Sequence, residues 1–270
     1  MKKFLIIAIS LWGVICAGCF QAKLDLIITD DGEVYRNWRV MGTAAFTQEI
    51  EAVRLKNEKR FPNLRVKQIT EGDLRGYEFS LKYPDIESFA QSPSEFYSEH
   101  RGKNKGISRH KSWFFDEYDF DFCVAYPPAN VPLGATVNQA MFSQVVFNST
   151  IELPYAVDTT NADELLSGGR ILKWNLAPLL IHGGEKFMQA RFKIWHEDKI
   201  ALTLAIELIF LTATIFFLIK ARAEGSESLV KDFRFKRNVF AGLFVAVALI
   251  AAYLLSMPVA FTEADIISMH

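Results

Sequence analysis

The densest run of chemistry-bearing side chains is His100-Arg101-Gly102-Lys103-Asn104-Lys105-Gly106, followed closely by Arg109-His110-Lys111. Arg101, Lys103, Lys105, Arg109 and Lys111 are five cations within eleven residues. A flexible loop with that charge suits anionic lipid headgroups or envelope phosphates beside a membrane. It also suits a solvated surface loop, or pairing with Asp116, Glu117, Asp119 and Asp121, which come next. Catalytic signatures are poor. Ser108–Lys111 matches S-x-x-K, but the S-D-N and K-T-G companions of that nucleophile are missing. No H-E-x-x-H, G-x-S-x-G, Walker A or G-x-G-x-x-G occurs. His182-Gly183-Gly184-Glu185 brings two ligand types together, whereas a metal needs three or four, and His100, His110, His196 and His270 are scattered. The expectation is a protein that is not an enzyme, with no metal and no cofactor. The alternative is an enzyme of envelope metabolism using carboxylates that the sheet brings together.

Both ends of the chain carry membrane signals. Lys2 and Lys3 precede the apolar run Phe4 to Ile15, and Cys16-Ala17-Gly18-Cys19 follows. A basic start, a short apolar stretch and a small-residue exit form a secretory signal, residues 1–18. The stretch resembles a bacterial lipoprotein signal, which implies that Cys19 becomes the acylated first residue. Cys123 would then be the last free thiol, with no partner for an intramolecular disulfide. Its place in Asp121-Phe122-Cys123-Val124 reads as a small apolar strand residue.

Near the other end, 200–219 and 239–260 are long, predominantly apolar runs. A helix of 20 residues spans about 30 Å, the thickness of the hydrocarbon layer. The connecting segment 220–238, expected as a loop, holds Lys220, Arg222, Lys231, Arg234, Lys236 and Arg237. The tail 261–270 has no Lys or Arg. The positive-inside bias puts the connection in the cytoplasm and the tail outside. Glu207 lies within the first span, where a charge costs a few kcal/mol unless it is partnered or protonated. End-to-end pairing of the two spans would set it near Tyr253 and Ser256, whose hydroxyls could bond its carboxyl. The functional reading is proton or ion coupling, or a polar contact with a partner protein, and the plain one is a hydrogen bond holding the hairpin together. Gly242 with Ala246, and Ala248 with Ala252, give small-residue spacing for close helix packing.

Residues 19–199 form one domain, with 92–111 as a basic insertion. Lys23-Leu24-Asp25-Leu26-Ile27-Ile28 reads as a half-buried strand. Asp30-Asp31-Gly32 is a hairpin turn, and 33–41 is the returning strand. A helix starts at Thr47 as N-cap and buries Ile50 to Leu55. A second hairpin turns at Glu71-Gly72-Asp73, and Ile86 and Phe89 share one side of a short helix. Strands over 113–124, 140–153, 169–176 and 186–195 complete the series. Runs of strands with one main helix give an α+β class, with an antiparallel β-sheet followed by a two-helix transmembrane hairpin.

These pieces resemble the LppM-like lipoprotein domain family. The resemblance rests on Cys19, Leu24-Asp25-Leu26, the Asp-Gly turn and the helix after it. It continues through Asn161-Ala162 and Gly169-Arg170-Ile171-Leu172-Lys173-Trp174-Asn175-Leu176, up to a last strand running into a membrane helix. It implies a membrane-tethered α+β domain and no particular reaction. The second span and the 92–111 insertion depart from the family pattern. By alternation alone, Leu172, Trp174 and Leu176 share one strand face, either as core or as the wall of an apolar pocket for an acyl chain.

The function expected from these readings is a membrane-tethered binding module facing outward from the cell. Its partners would be a membrane lipid, an envelope glycolipid or a membrane protein. Nucleic acid is excluded by export and by a formal net charge of −1. A third reading is an accessory subunit that docks on a membrane complex through its hairpin.

Overall fold

The computed structural model describes residues 20–92, 106–126, 146–257 and 266–267. Cys19 and the basic residues Arg101, Lys103 and Lys105 lie outside the described residues. The first strands are β1 (Phe20–Ile28) and β2 (Val34–Gly42). They pair antiparallel, with Leu24 opposite Trp38. The turn between them needs Gly32, whose φ is 84°. A single 3-10 turn, Ala44–Phe46, leads into α1 (Thr47–Arg60). Thr47 is the first helical residue rather than the cap, and its hydroxyl donates to the Ala44 carbonyl. The helix buries Ile50 and Asn57, while Leu55 is exposed, contrary to the expected stripe. Ile50 and Asn57 are seven residues apart and so share a face, whereas Leu55 points away from it.

β3 (Arg65–Glu71) and β4 (Leu74–Tyr83) form the second hairpin, and α2 (Ile86–Ala90) follows with Asp85 capping the Ser88 amide. Then come β5 (Gly106–Lys111), β6 (Phe115–Tyr126) and β7 (Val146–Glu152). The short β8 (Thr159–Thr160) and β9 (Glu164–Leu166) precede β10 (Ile171–Asn175). α3 (Ala177–His182), β11 (Gly184–Trp195) and β12 (Ile266–Ile267) complete the set apart from two long helices.

The strands build two sheets. One has the order β3-β4-β2-β1-β7-β10-β9 and the other β12-β5-β6-β11-β8. The α+β class is as expected, and the first sheet is antiparallel except where β7 joins β1 in parallel. A parallel neighbour requires a crossover connection, and strand periodicity carries no information about that choice. Across this sheet Phe79, Trp38, Leu24, Ser149 and Trp174 stand in one cross-strand row. All five are buried. Trp38 stacks on Phe79, with ring centroids 5.2 Å apart. Ser149 is the small member of the row and lies between Leu24 and the Trp174 indole. Gly76 is required on β4, since a Cβ there would sit 1.9 Å from the Val40 carbonyl oxygen.

The chain divides into two compact units. One takes in most of both sheets, and the other joins Arg109–Glu117 to Ile194–Thr262. In the second unit α4 (Glu197–Ala223) and α5 (Glu227–Ser256) are long and apolar enough to cross a membrane, by length and composition. The segment 220–238, expected as a loop, is helical apart from 224–226. Its basic residues therefore stand on helix ends. Lys231 pairs with Glu227 and Lys236 with Asp232, each one helical turn apart.

Candidate functional site

Three places on the molecule gather polar or charged groups in defined geometry. The first links the two sheets through Asn161-Ala162-Asp163, the stretch between β8 and β9. β8 belongs to the second sheet through β11, and β9 to the first through β10. Asn161 Oδ1 accepts from the Trp174 indole Nε1 at 3.0 Å and from the Gln189 amide at 2.8 Å. Asn161 Nδ2 donates to the Phe187 carbonyl at 2.9 Å. Asp163 Oδ2 accepts from the Asn175 amide at 2.7 Å and from Lys186 Nζ. Burial raises the Asp163 carboxyl's affinity for a proton, but the Lys186 ammonium and the Asn175 amide outweigh it, and the pKa falls below its ordinary value. One asparagine thus satisfies the only polar atom of a fully buried tryptophan and bonds the opposing sheet as well. Leu172, Trp174 and Leu176 are all buried on one face, with Trp174 held by this bond.

The second place is Arg36, which is only 1% exposed. On β2 it lies in register with Leu26 and Leu81, on the inward face. Its guanidinium carbon sits 4.8 Å from the Trp38 ring centroid and 5.7 Å from that of Phe61. Planar, weakly hydrated arginine tolerates such stacking better than lysine does. Sequence reasoning passed over Arg36, although the alternation Val34, Arg36, Trp38, Val40 already puts it on the inward face. Nearby, Glu51 accepts hydrogen bonds from Arg54 and from the Tyr77 hydroxyl. These hold the Glu51 pKa below its ordinary value and push that of Tyr77 up.

The third place surrounds the start of α4. Arg109, expected in a mobile cationic loop, is on strand β5 and is bonded to Asp116 on β6. His196 Nε2 lies 3.4 Å from the other Asp116 oxygen. The Phe115 and Trp195 rings meet edge to face at 5.2 Å. The His196 amide donates to the Phe114 carbonyl at 2.8 Å. Lys199 Nζ lies 5.4 Å from the Trp113 ring centroid. Lys111 is exposed at the end of β5. Of the basic cluster only Arg109 and Lys111 are among the described residues, and Arg109 is committed to a buried carboxylate. Strand pairing explains this, because β5 and β6 are neighbours and bring Arg109 back to the acidic run that follows it in sequence.

Glu207, Tyr253 and Ser256 are not brought together. Half-buried positions on α4 include Thr203, Glu207, Phe210, Thr214 and Phe217, a heptad seam facing α5. Phe217 stacks on Phe240 at 5.6 Å and also meets Phe233, and Phe210 meets Phe240. The helices pair about the turn at 224–226, so Glu207 falls level with Phe244 and Val247. Tyr253 and Ser256 sit further along α5. Tyr253 is exposed on the helix surface, and the Ser256 hydroxyl donates to the Tyr253 carbonyl. The expected Glu207 bond to either hydroxyl does not form. The short turn at 224–226, not the outer ends of the apolar runs, sets the register. Gly242 and Ala246 lie on the exposed side of α5, off the seam. Among the described residues no cluster of three His, Cys, Asp or Glu could hold a metal ion. Cys123 is a buried thiol on β6.

These features define an α+β protein of two sheets continued by a pair of long apolar helices. No protein-family model and no curated protein matches the chain. Among solved structures it is similar to the NMR structure of the folded domain of the Mycobacterium tuberculosis LppM protein. The identity is 12%, the match covers 68% of this chain and 94% of that one, and the TM-score is 0.39. No fold, family or residue role is carried over from it to this chain.

Proposed function

We propose that the chain is a cell-envelope lipoprotein that works as a membrane-tethered binding module. Its α+β body lies outside the cytoplasmic membrane, and its ligand is a membrane lipid, an envelope glycolipid or a membrane protein. One observation carries the reading: α4 and α5 are long apolar helices, and no residue of the most apolar stretch of either is buried inside the protein. Two such surfaces are stable only in lipid. The basic groups on the helix ends around 224–226 set the orientation by the positive-inside bias, and Cys19 supplies a second, acyl tether. Tethering at both ends keeps the body close to the bilayer and raises the effective concentration of membrane-borne ligands.

Orientation is tested on intact cells with a membrane-impermeant maleimide. Asp30→Cys, in the β1–β2 turn, labels in this reading, and Ser226→Cys, between the helices, does not. The reverse pattern inverts the topology and removes the binding role with it. The ligand class is tested by titrating phosphatidylglycerol into the detergent-solubilised full chain. A rise in melting temperature, absent with phosphatidylcholine, supports an anionic lipid. No rise with either turns the search towards a protein partner.

A further inference from the structure

The turn joining β5 to β6 sits where its depth is fixed by the helix beside it. Ser112 to Phe114 form the turn, closed by the Ser112 amide donating to the Phe115 carbonyl at 2.8 Å. Three contacts bind it to the start of α4: the His196 amide on the Phe114 carbonyl, the Phe115 ring on Trp195, and Asp116 beside His196. All of these residues belong to one compact unit with the helix. Trp113 is nonetheless 49% exposed, with Lys199 over its ring. Lys199 is the residue immediately before the apolar run that opens at Ile200.

We infer that the β5–β6 turn is an interfacial foot, with the Trp113 indole seated in the headgroup layer of the bilayer that α4 crosses. The inference rests on the membrane-spanning reading above and names the lipid contact made beside the span. A lysine at the end of an apolar helix holds its ammonium at headgroup level, so a ring 5.4 Å from that ammonium is at the same depth. Indole favours that layer because its body is apolar and its N–H still finds a partner there. Lys199 adds positive charge next to the ring, and Lys111 is an exposed cation at the end of β5. Glu197 and Asp198, in the first turn of α4, offset part of it, so the indole supplies most of the attachment and the electrostatic share is small. The turn is therefore built differently from the buried pairing behind it. Arg109, Asp116 and His196 brace it from within, and Trp113 is left facing outward.

The full chain, reconstituted in phosphatidylcholine–phosphatidylglycerol vesicles, tests this with lipids brominated near the top of the acyl chain, which quench nearby indoles. Trp113→Phe is expected to lose most of the bromolipid quenching, and Trp195→Phe to keep it. Alkaline carbonate washing runs in parallel. If the chain stays in the pellet and Trp113→Phe quenches like the wild type, the foot is overturned and the spanning helices stand. If Trp113 is instead quenched by aqueous iodide and not by bromolipid, the turn faces water and the foot is again overturned. Release of the chain by carbonate removes the spanning reading and the foot together.

Discussion

Trp174 and Trp113 are the same residue type in opposite circumstances. Trp174 is wholly buried in a cross-strand row, and its single donor is taken by Asn161. Trp113 stands half out of a turn with a lysine over its face. In the sheet, the ring's value lies in area removed from water, at roughly 25 cal/mol per Å² of apolar surface. At the turn about half of that area stays in water, so burial rewards the ring much less there. The lipid contact proposed beside α4 would cover that exposed half.

The contrast can be broken most forcefully at the buried ring. Trp174→Ala is expected to cost about 3–5 kcal/mol in urea unfolding of the detergent-solubilised chain, through lost transfer energy and the cavity left behind. A cost near zero would mean that the row is not closely packed. Asn161→Ala comes next, at about 1–3 kcal/mol, because it strands the buried Trp174 donor and removes the link to Gln189. If it matched wild type while Trp174→Ala did not, the bond between the sheets would contribute nothing.

The third test uses pH. Asp163 has a depressed pKa in the fold, so its contribution to stability is complete above the ordinary carboxylate range. That contribution is lost as the pH falls through the lower folded value. Melting temperature followed from neutral to acid pH should decline less steeply in Asp163→Asn than in wild type. Parallel curves would show that the Lys186 and Asn175 contacts do not act on stability. The smallest effect belongs to Trp113→Ala, expected within about 0.5 kcal/mol of wild type in detergent, as for exposed positions generally. A loss comparable to that of Trp174→Ala would show that Trp113 is a packing residue, and the contrast would disappear.

Much of the molecule was readable from residue order. Leu24, Leu26 and Ile28 alternate, and each is buried on β1 as a period of two requires. Asp30-Asp31-Gly32 turns where a residue with positive φ is needed. Ile86 and Phe89 share a buried face. The elements missed were those whose placement depends on distant chain. β8, β9 and β12 have two or three residues each and carry no usable period. Asn161-Ala162 is visible in the sequence, but the Asn161 partners Trp174, Phe187 and Gln189 are named only by the fold. The basic run looked like one feature, and pairing of β5 with β6 separated Arg109 from it by giving it a carboxylate.

Sequence alone determined the properties set by local composition. Two long apolar stretches read as long helices, since they far exceed the length of a strand, and alternating segments read as strands. Tertiary structure decided what depends on which segments meet: the parallel seat of β7 beside β1, the register that moves Glu207 away from Tyr253, and the exposure of Trp113 beside Lys199. The physical reason is that hydrophobic periodicity says which face of an element is covered, whereas the identity of the covering element depends on chain connection and packing across the whole fold.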